Sequence, residues 1–316
     1  MASPSKPGAK RILCIGMPVR DLIFRVRDLP VRGGKMRADH FEELAGGNAL
    51  NAAVGIARLG GAAAFSGPMG DIAEKPDKYI FDQLKAEGID YSGVVHMPGT
   101  LTPISNIMID PSGERTIVTF RDPGLWKVKL PDSETLLAGI DAVLTENRCA
   151  GFVTDLCVEA RRRGIPVVID ADQVMSLSEG LLTASSHMIF SAETLFATAG
   201  TQDAGQALRR IATRTPSFVG VTLGAHGMTW LDGEGRLRQM PTFPVHTVDT
   251  LGAGDVFHGA FAVAIAEGAA IDHAMRFASA AAALKCTRHG GAFAAPSRGE
   301  VEDLLRQAPI PARAGL

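Results

Sequence analysis

The sequence predicts an α/β fold in which helices cover both faces of a largely parallel sheet, together with a small β-rich lid. Three observations support this class. Strand-like and helix-like segments alternate along most of the chain, which is the pattern of right-handed βαβ crossovers. The later strands, around Val167–Ile169 and Phe218–Val221, are nearly all apolar, as strands buried on both faces should be. Two other regions lack a crossover helix and form the predicted lid.

Hydrophobic periodicity and turn residues set the limits of each predicted element. In the first half they predict strands at Arg11–Ile15, Ala62–Ser66 and Ile104–Asp110, and helices at Ala49–Leu59 and Pro76–Glu87. In the second half they predict strands at Asp141–Thr145, Pro166–Asp170, His187–Phe190 and Ser217–Leu223, and helices at Gly151–Arg163, Ala204–Thr213 and Val256–Glu267.

The lid is predicted from two segments, about residues 24–44 and 102–121. The first mixes charges with strand-like pieces, and the second contains two strands joined by a turn at Pro111-Ser112-Gly113. Because no Pro/Ser-rich linker or repeat divides the chain, we expect one domain over residues 10–306. Residues 1–9 and 308–316 are expected to be flexible termini.

The composition excludes several classes of protein. The 316 residues include 32 basic and 34 acidic side chains, and a net charge of −2 gives no reason to expect nucleic acid or a membrane surface as a partner. No apolar run approaches the ~18 residues of a membrane span. The first ten residues lack the apolar core of a signal peptide. Cys14, Cys149, Cys157 and Cys286 form no zinc or C-x-x-C spacing, which favours reduced thiols in a cytoplasmic protein.

The most informative stretch runs from Asp249 to Asp255 and reads Asp-Thr-Leu-Gly-Ala-Gly-Asp, just before a predicted helix. Backbone N–H groups of such a glycine-rich turn, at the positive end of a helix dipole, form an anion hole. Asp255 could accept a proton from a hydroxyl held there, as phosphoryl transfer to that hydroxyl requires. An ordinary N-cap aspartate is the alternative. The stretch matches neither the GxGxxG nor the GxxxxGK[ST] motif.

A second stretch, Gly46-Gly47-Asn48-Ala49-Leu50-Asn51, leads into the first predicted helix. Two glycines let the backbone approach a polar small molecule closely, and Asn51 offers both a donor and an acceptor to hydroxyl groups. The alternative is a plain helix start with Asn48 as its cap.

Together the two stretches resemble the paired signatures of the ribokinase-like (PfkB) carbohydrate kinases. Other segments match in the family's order, from about Lys10 to Leu305. They are Gly16 with Asp21, the lid turn Gly113-Glu114-Arg115-Thr116, Thr222-Leu223-Gly224 with Gly227, and Thr287-Arg288-His289-Gly290-Gly291 with Pro296. The resemblance implies a three-layer α/β core with a β lid that often forms a dimer contact. It also implies ATP-dependent phosphorylation of a sugar hydroxyl, commonly a primary alcohol.

The resemblance also implies roles for single residues. Asp255 would be the general base, and the backbone of Gly252, Ala253 and Gly254 would hold the transferring phosphoryl group. The residues that would grip the sugar are Asp21, Gly46, Gly47 and Asn51, and those on the nucleotide side are Thr222, Gly224, Gly227 and Ser279. Mg²⁺ would neutralise phosphate charge. Many members also bind K⁺ through a loop like the one at Asp249 and Leu251.

One departure from the family concerns the metal. Where many members have N-x-x-E, this chain reads Ser191-Ala192-Glu193-Thr194, so that Ser191 and Thr194 take the two positions and Glu193 lies one place early. This puts the usual metal and water network in doubt, although not the base.

Several segments resemble the sulfofructose kinase branch in particular, among them Gly254–Ala260, Phe277–Ser279 and Asp170–Asp172. In that branch, cations in and near the lid are expected to hold the sulfonate, and the matching positions are Lys35 and Arg148. An arginine at the carboxyl end of a parallel strand points into the usual ligand crevice, and a guanidinium suits an oxyanion. A solvated charge or a surface ion pair is the alternative for each.

The expected substrate is therefore an anionic ketose derivative, such as 6-deoxy-6-sulfofructose or a sugar phosphate. A neutral sugar or sugar acid, such as ribose, fructose or 2-keto-3-deoxygluconate, is the alternative. A non-catalytic sugar or nucleotide sensor is the alternative from another class, although Asp255 argues against it. A nucleoside kinase ranks lower, because the charged lid has few aromatic residues. His258 is expected to be a packed or capping side chain.

Overall fold

The structure, a computed structural model, describes residues 8–71, 76–177 and 180–308. Most of the two predicted flexible termini, residues 1–7 and 309–316, lies outside these ranges. Within them, no helix is both long enough and apolar enough to cross a membrane.

The larger of two sheets has nine strands, and seven of them are parallel. Its order is β13-β12-β11-β10-β9-β8-β1-β4-β5, with β12 and β13 antiparallel at one edge. The strands are β1 Arg11–Ile15, β4 Ala62–Gly70, β5 Asp90–Met97, β8 Ala142–Glu146, β9 Val167–Ala171, β10 His187–Ser191, β11 Phe218–Thr222, β12 Met228–Leu231 and β13 Leu237–Met240. The prediction of a largely parallel sheet is confirmed.

Helices cover both faces of this sheet. They are α1 Asn48–Arg58, α2 Pro76–Ala86, α3 Ser133–Leu136, α4 Ala150–Arg162, α5 Leu181–Ala184, α6 Ala192–Ala199, α7 Ala204–Ala212, α8 Ala253–Ala266, α9 Ile271–Lys285 and α10 Arg298–Gln307. Strand β1 shows the division, since successive side chains of a strand point to opposite faces. Ile12 and Cys14 pack in the core with α1, α8 and α9, while Leu13 and Ile15 pack with α4 and α7. The three-layer core is thus confirmed.

The lid is a separate four-stranded sheet in the order β3-β2-β6-β7. Its strands are β2 Val19–Arg25, β3 His40–Gly46, β6 Ile104–Ile109 and β7 Arg115–Phe120. The central pair, β2 and β6, is parallel, and the two outer pairs are antiparallel. Ile23, Ile107 and Ile109 are buried beneath it, with Leu44 and Leu251 packed against them. The first lid strand begins at Val19, earlier than the predicted start near residue 24. Only three residues separate it from the end of β1.

Strands β5, β12 and β13 are elements that the sequence pattern did not predict. Strand β5 lies at the sheet edge, and its residues are partly buried or exposed without a regular alternation. Strands β12 and β13 have four residues each, which is too short for a clear period. All four cysteines are free thiols, and Cys14, Cys149 and Cys157 are buried.

Candidate active site

The parallel strands bring polar residues to one edge of the sheet. Glu146, Asp170 with Asp172, Ser191 and Thr222 lie at or just after the carboxyl ends of β8, β9, β10 and β11. Ligands of open α/β sheets bind in the crevice outside these ends. The strand order therefore places a candidate active site between this edge and the lid.

Helix α8 begins at this edge with Gly252 in a left-handed conformation, at φ 76°. A Cβ there would be strained and would lie 3.0 Å from the backbone nitrogen of Ala292, so the turn favours glycine. Gly254 is exposed, and no atom lies within 4 Å of the position of an added Cβ. The first turn of the helix is therefore open to a ligand at its positive end.

Close packing of α1 against α8 places the carboxyl of Asp255. A Cβ at Gly259 would lie 2.6 Å from the carbonyl oxygen of Ala52, and one at Gly55 would lie 3.4 Å from the Cα of Val256. The two helices approach this closely because both positions are glycine. Across the same contact, Nδ2 of Asn51 donates a hydrogen bond of 2.7 Å to Oδ2 of Asp255.

The surroundings raise the pKa of Asp255 to about 7. Burial is the largest cause, and the negative charge of Asp170 adds to it. The hydrogen bond from Asn51 acts in the opposite direction, because it favours the ionised carboxylate. A carboxyl that titrates near neutral pH suits a general base better than an ordinary aspartate does.

Asp21 lies on lid strand β2 and is buried, at 8% exposure. A side chain at Gly46 would overlap its carboxyl group, and one at Gly47, at φ 96°, would overlap the carbonyl oxygen of Met17. The surroundings raise the pKa of Asp21 to about 7: burial is the largest cause, a hydrogen bond from Ser105 lowers the pKa, and the charge of Asp255 raises it. Gly46 thus leaves space for a carboxyl whose pKa depends on the charge of Asp255.

Arg148, which follows β8, is held in an acidic network. Its Nη2 donates to Oδ2 of Asp172 at 2.7 Å, and its Nε lies 3.5 Å from Oε2 of Glu146. Nδ2 of Asn48 bridges Asp170 and Asp172 at 3.1 and 3.0 Å. The structure therefore places Arg148 at the sheet edge, with part of its charge already compensated.

Burial raises the pKa of Glu146 to about 8 and that of Asp170 to about 7, and the neighbouring charge of Asp172 raises both. Nearby Arg148 lowers both. Gly16 makes room for Glu146, because a Cβ at that glycine would lie 2.5 Å from Oε1 of the glutamate. The crevice floor thus carries carboxyls that hold protons more readily than exposed ones.

Arg121 is a residue that sequence reasoning missed as a site candidate. It follows β7 directly, and its Nε is buried with no hydrogen-bond partner among the described residues. Burial lowers its pKa, and the charge of Arg148 lowers it further, while Glu146 and Asp172 raise it. It also lowers the pKa of Asp21. Its position at the end of the second predicted lid strand was the only signal that the sequence offered.

Lys35, in contrast, is exposed in the connection between β2 and β3, and it makes no hydrogen bond or ion pair with any described residue. The structure does not bring it into contact with the crevice. It was predicted as a site residue only from the resemblance to the sulfofructose kinase branch.

The predicted nucleotide-side residues occupy two places. Thr222 ends β11, and Gly224 and Gly227 have positive φ values of 57° and 85° in the turn that follows. A side chain at Gly227 would overlap the carbonyl oxygen of Met240. Ser279 is buried in α9, and its hydroxyl lies 3.5 Å from that of Thr242.

Three further groups surround the start of α8. His258 is buried, and its Nδ1 lies 2.8 Å from the carbonyl oxygen of Gly254, so the expectation of a packed side chain is confirmed. Nη1 of Arg115, in the lid, donates to the hydroxyl of Thr250 at 2.7 Å. Beside that contact, the lid turn and residues 247–250 line a cleft of about 440 Å³.

The residues at the N-x-x-E positions act as a helix cap. The hydroxyl of Ser191 accepts from the backbone N–H of Thr194 at 3.4 Å, and Glu193 is exposed. In the described part of the chain, no group of three or more histidine, cysteine or carboxylate side chains is placed to hold a metal ion.

The sequence is similar to known carbohydrate kinases over most of its length. The family profile described as pfkB family carbohydrate kinase matches residues 9–298. Ribokinase of Bacillus subtilis (strain 168) is 28% identical over 305 residues, which cover 94% of this chain and 99% of that protein. Ketohexokinase of Mus musculus is 28% identical over 297 residues, which cover 89% and 97%.

Solved structures share the whole fold. A protein from Agrobacterium tumefaciens, provisionally assigned as a ribokinase, superposes with a TM-score of 0.90 and 38% identity, covering 95% of this chain and 98% of that one. Arabidopsis thaliana ribokinase, solved with ribose and ATP, gives 0.83 and 24%, covering 94% and 99%, and so supports the fold alone. Since the family profile spans most of the sequence, this chain belongs to the pfkB family and is a carbohydrate kinase.

Proposed function

We propose that this kinase transfers the γ-phosphoryl group of ATP to a primary hydroxyl of an anionic ketose derivative, with Asp255 as the general base. The observation that carries the substrate class is the pair Arg121 and Arg148. Each has a buried Nε without a hydrogen-bond partner among the described residues. A buried guanidinium N–H left without an acceptor is costly, and an oxyanion of the substrate would satisfy it.

In the proposed mechanism, the attacking sugar hydroxyl lies between the sugar-binding residues and the start of α8. Asp21 and Asn51 orient the sugar, and Asp255 takes the proton of the attacking hydroxyl. The new bond joins that oxygen to the γ-phosphorus, and the bond from the γ-phosphorus to the β,γ-bridging oxygen breaks, so ADP leaves. Backbone N–H groups at the start of α8, from Gly252 to Gly254, stabilise the charge on the transferring group. Thr222, Gly224 and Gly227 line the nucleotide side.

The described residues do not form a protein cage for Mg²⁺. Ser191 and Thr194 cap α6 instead of supplying the usual pair of metal-side groups. A Mg²⁺ ion would therefore enter with the phosphates of ATP, to which it is commonly bound together with water. Its contribution would be to neutralise phosphate charge.

The charges around Arg148 favour a second candidate, a neutral sugar. Its guanidinium already donates to Asp172 and lies near Glu146, so one cation of the pair is partly compensated without a substrate. If that ion pair is purely structural, the crevice would take ribose or fructose, and Arg121 would serve only to balance the buried carboxyls.

A coupled ADP-release assay with ATP and Mg²⁺ separates these candidates. The panel holds ribose, fructose, 2-keto-3-deoxygluconate, fructose 6-phosphate, 6-deoxy-6-sulfofructose and adenosine. Turnover on an anionic ketose, and not on the neutral sugars, supports the proposal. Turnover confined to a neutral sugar contradicts the anion site and keeps the kinase. A sugar-induced thermal shift without ADP release would indicate a sensor.

Two variants test the arginine pair directly. Arg121→Met and Arg148→Met keep most of the apolar stem and remove the charge. On an anionic ketose we expect KM to rise by about tenfold or more, as for the loss of a charged hydrogen bond, with little change in the KM for ATP. Arg27→Met, an exposed lid arginine paired with Asp39, is the matched control. Equal KM values in all three variants would remove the pair from the substrate site.

We also propose that two chains associate through the lid. Its outer face carries apolar side chains that are unusually exposed: Phe41, Val118 and Phe120 are between 50% and 64% accessible. A contiguous apolar patch of this kind is typical of an interface. Light scattering should give a dimer for the wild type and a monomer for Val118→Asp. A monomeric wild type would exclude this association.

A further inference from the structure

The loop before α8 is the place where the family resemblance puts K⁺, at Asp249 and Leu251. In this chain the loop already holds a cation of its own. Lys285, at the end of α9, is completely buried, with 0% exposure. A lysine is almost never buried to this extent unless it is paired.

The ammonium group of Lys285 is directed at Asp249. Its Nζ donates a hydrogen bond of 2.8 Å to the main-chain oxygen of Asp249 and lies 3.7 Å from Oδ2 of the same residue. A main-chain oxygen and a carboxylate oxygen are ligands of the kind that K⁺ takes in place of its hydration water. An ammonium group has the same single charge and a similar size, and it approaches both oxygens.

The other acceptors of the loop are engaged as well. Oδ1 of Asp249 accepts from the backbone N–H of Leu251 at 2.9 Å. The carbonyl oxygen of Cys286 accepts from the N–H groups of Val248 and Asp249, at 2.7 and 3.1 Å. Oδ2 of Asp249 makes no hydrogen bond among the described residues, but it faces Arg25 at 3.9 Å as well as Lys285. These donors and charges do not fit a K⁺ ion unless Lys285 moves away.

We propose that the ammonium group of Lys285 takes the place of the monovalent cation, so that this kinase is independent of K⁺. Lys285 acts as a positioning residue and does not touch the substrate. It fixes Asp249, and the loop from Asp249 leads within three residues to Gly252, where α8 and the proposed phosphoryl site begin. This inference rests on the proposed role of that helix start.

The first test compares the wild-type protein in KCl with the protein in choline chloride, at about 100 mM and equal ionic strength. We expect kcat/KM to agree within about twofold and the melting temperature to be the same in both salts. Titration with Tl⁺, a probe for K⁺ sites followed by its NMR signal, should show no saturable binding. A saturable rise in activity or melting temperature with K⁺, or Tl⁺ binding, would overturn the proposal.

The second test removes the ammonium. Lys285→Ala opens space, whereas Lys285→Met keeps the length of the side chain without its charge. In choline we expect Lys285→Ala to lose at least about tenfold in kcat/KM and to regain most of it in KCl, with a matching rise in melting temperature. Lys285→Met should lose activity and regain little. Lys78→Ala, an exposed lysine paired with Asp82, is the control and should respond to neither salt.

Equal activity of Lys285→Ala and wild type in choline would contradict the positioning role. If both variants fail to fold in either salt, the wild-type comparison still decides. The melting and Tl⁺ measurements need no sugar, so they test Lys285 even if the proposed substrate class is wrong.

Discussion

Helices α1 and α8 begin in the same way, but the surroundings of their first turns differ. Each starts at a glycine with positive φ, Gly47 at 96° and Gly252 at 76°, and neither has a side-chain cap. At the start of α1, the position of a side chain on the glycine is filled by the carbonyl oxygen of Met17, and Asn48 is bound to two carboxyls. At the start of α8, a Cβ at Gly252 would lie 3.0 Å from the backbone nitrogen of Ala292. Two residues further on, Gly254 is exposed and faces open space, whereas the matching residue of α1, Ala49, is buried.

The difference indicates that the two helix starts have different roles. The closed helix start, α1, uses its N-terminal turn to fix side chains of the proposed sugar site. The open one, α8, leaves its N–H groups accessible to an anion. The hydrogen bond from Asn51 to Asp255 joins the two, since it crosses from the first helix to the proposed base on the second.

The largest expected effect comes from the open helix. Asp255→Asn keeps the size of the side chain and removes the proton acceptor, so we expect kcat to fall by about 10² or more while ATP still binds. Turnover in the ADP-release assay and ATP binding by calorimetry measure the two properties. A kcat close to that of the wild type would eliminate Asp255 as the base.

The hydrogen bond from Asn51 to Asp255 should have a smaller effect on activity, which appears in the pH profile. The base must be ionised, so kcat/KM should rise with pH through the pKa of Asp255 at about 7. Asn51→Ala removes the bond that lowers this pKa, so the acid limb should move up by about one pH unit, which lowers kcat/KM roughly fivefold near pH 7. Asn48→Ala, on the same helix but without contact to Asp255, should not move the limb upwards. A limb unmoved by Asn51→Ala would contradict the link.

The contact between the helices can be tested through stability. Gly259→Ala places a methyl group against the carbonyl of Ala52, so we expect the free energy of unfolding to fall by about 1–3 kcal/mol. The control, Gly151→Ala in α4, meets no atom within 4 Å and should be neutral or slightly stabilising. Urea unfolding measures both. Equal effects of the two variants would mean that the stability of the protein does not depend on the close approach of α1 and α8.

The smallest effect is the pH dependence of stability itself. The pKa of Asp255, about 7, lies above that of an unfolded aspartate, so the folded state binds more protons between the two values. Stability of the free protein should therefore fall as the pH rises through this window. In Asp255→Asn the fall between about pH 6 and pH 7 should be smaller by about 1 kcal/mol. An identical fall in both proteins would show that other carboxyls carry the effect.

The sequence predicted the parallel sheet, the lid turn and both glycine-rich helix starts, because these depend on local period and turn chemistry. The partners of single charges depend on the tertiary fold and could not be predicted. Arg121 and Lys285 show this, because each looks like an ordinary charged residue in its own segment. Only the tertiary fold brings Arg121 near Arg148 and Lys285 against Asp249. Lys35 is the reverse case, since a prominent sequence position lies exposed and unpaired among the described residues.

The short connection from β1 into the lid divides the proposed sugar site between two parts of the fold. Asp21 belongs to β2 and Arg121 follows β7, so both are carried by the lid sheet, whereas Asn51, Arg148 and Asp255 are carried by the core. Tilting the lid away would split the sugar site into two halves, each with part of the recognition groups. A sugar that bridges the two halves of the proposed site would hold the lid against the core, so sugar affinity and lid closure would be thermodynamically linked.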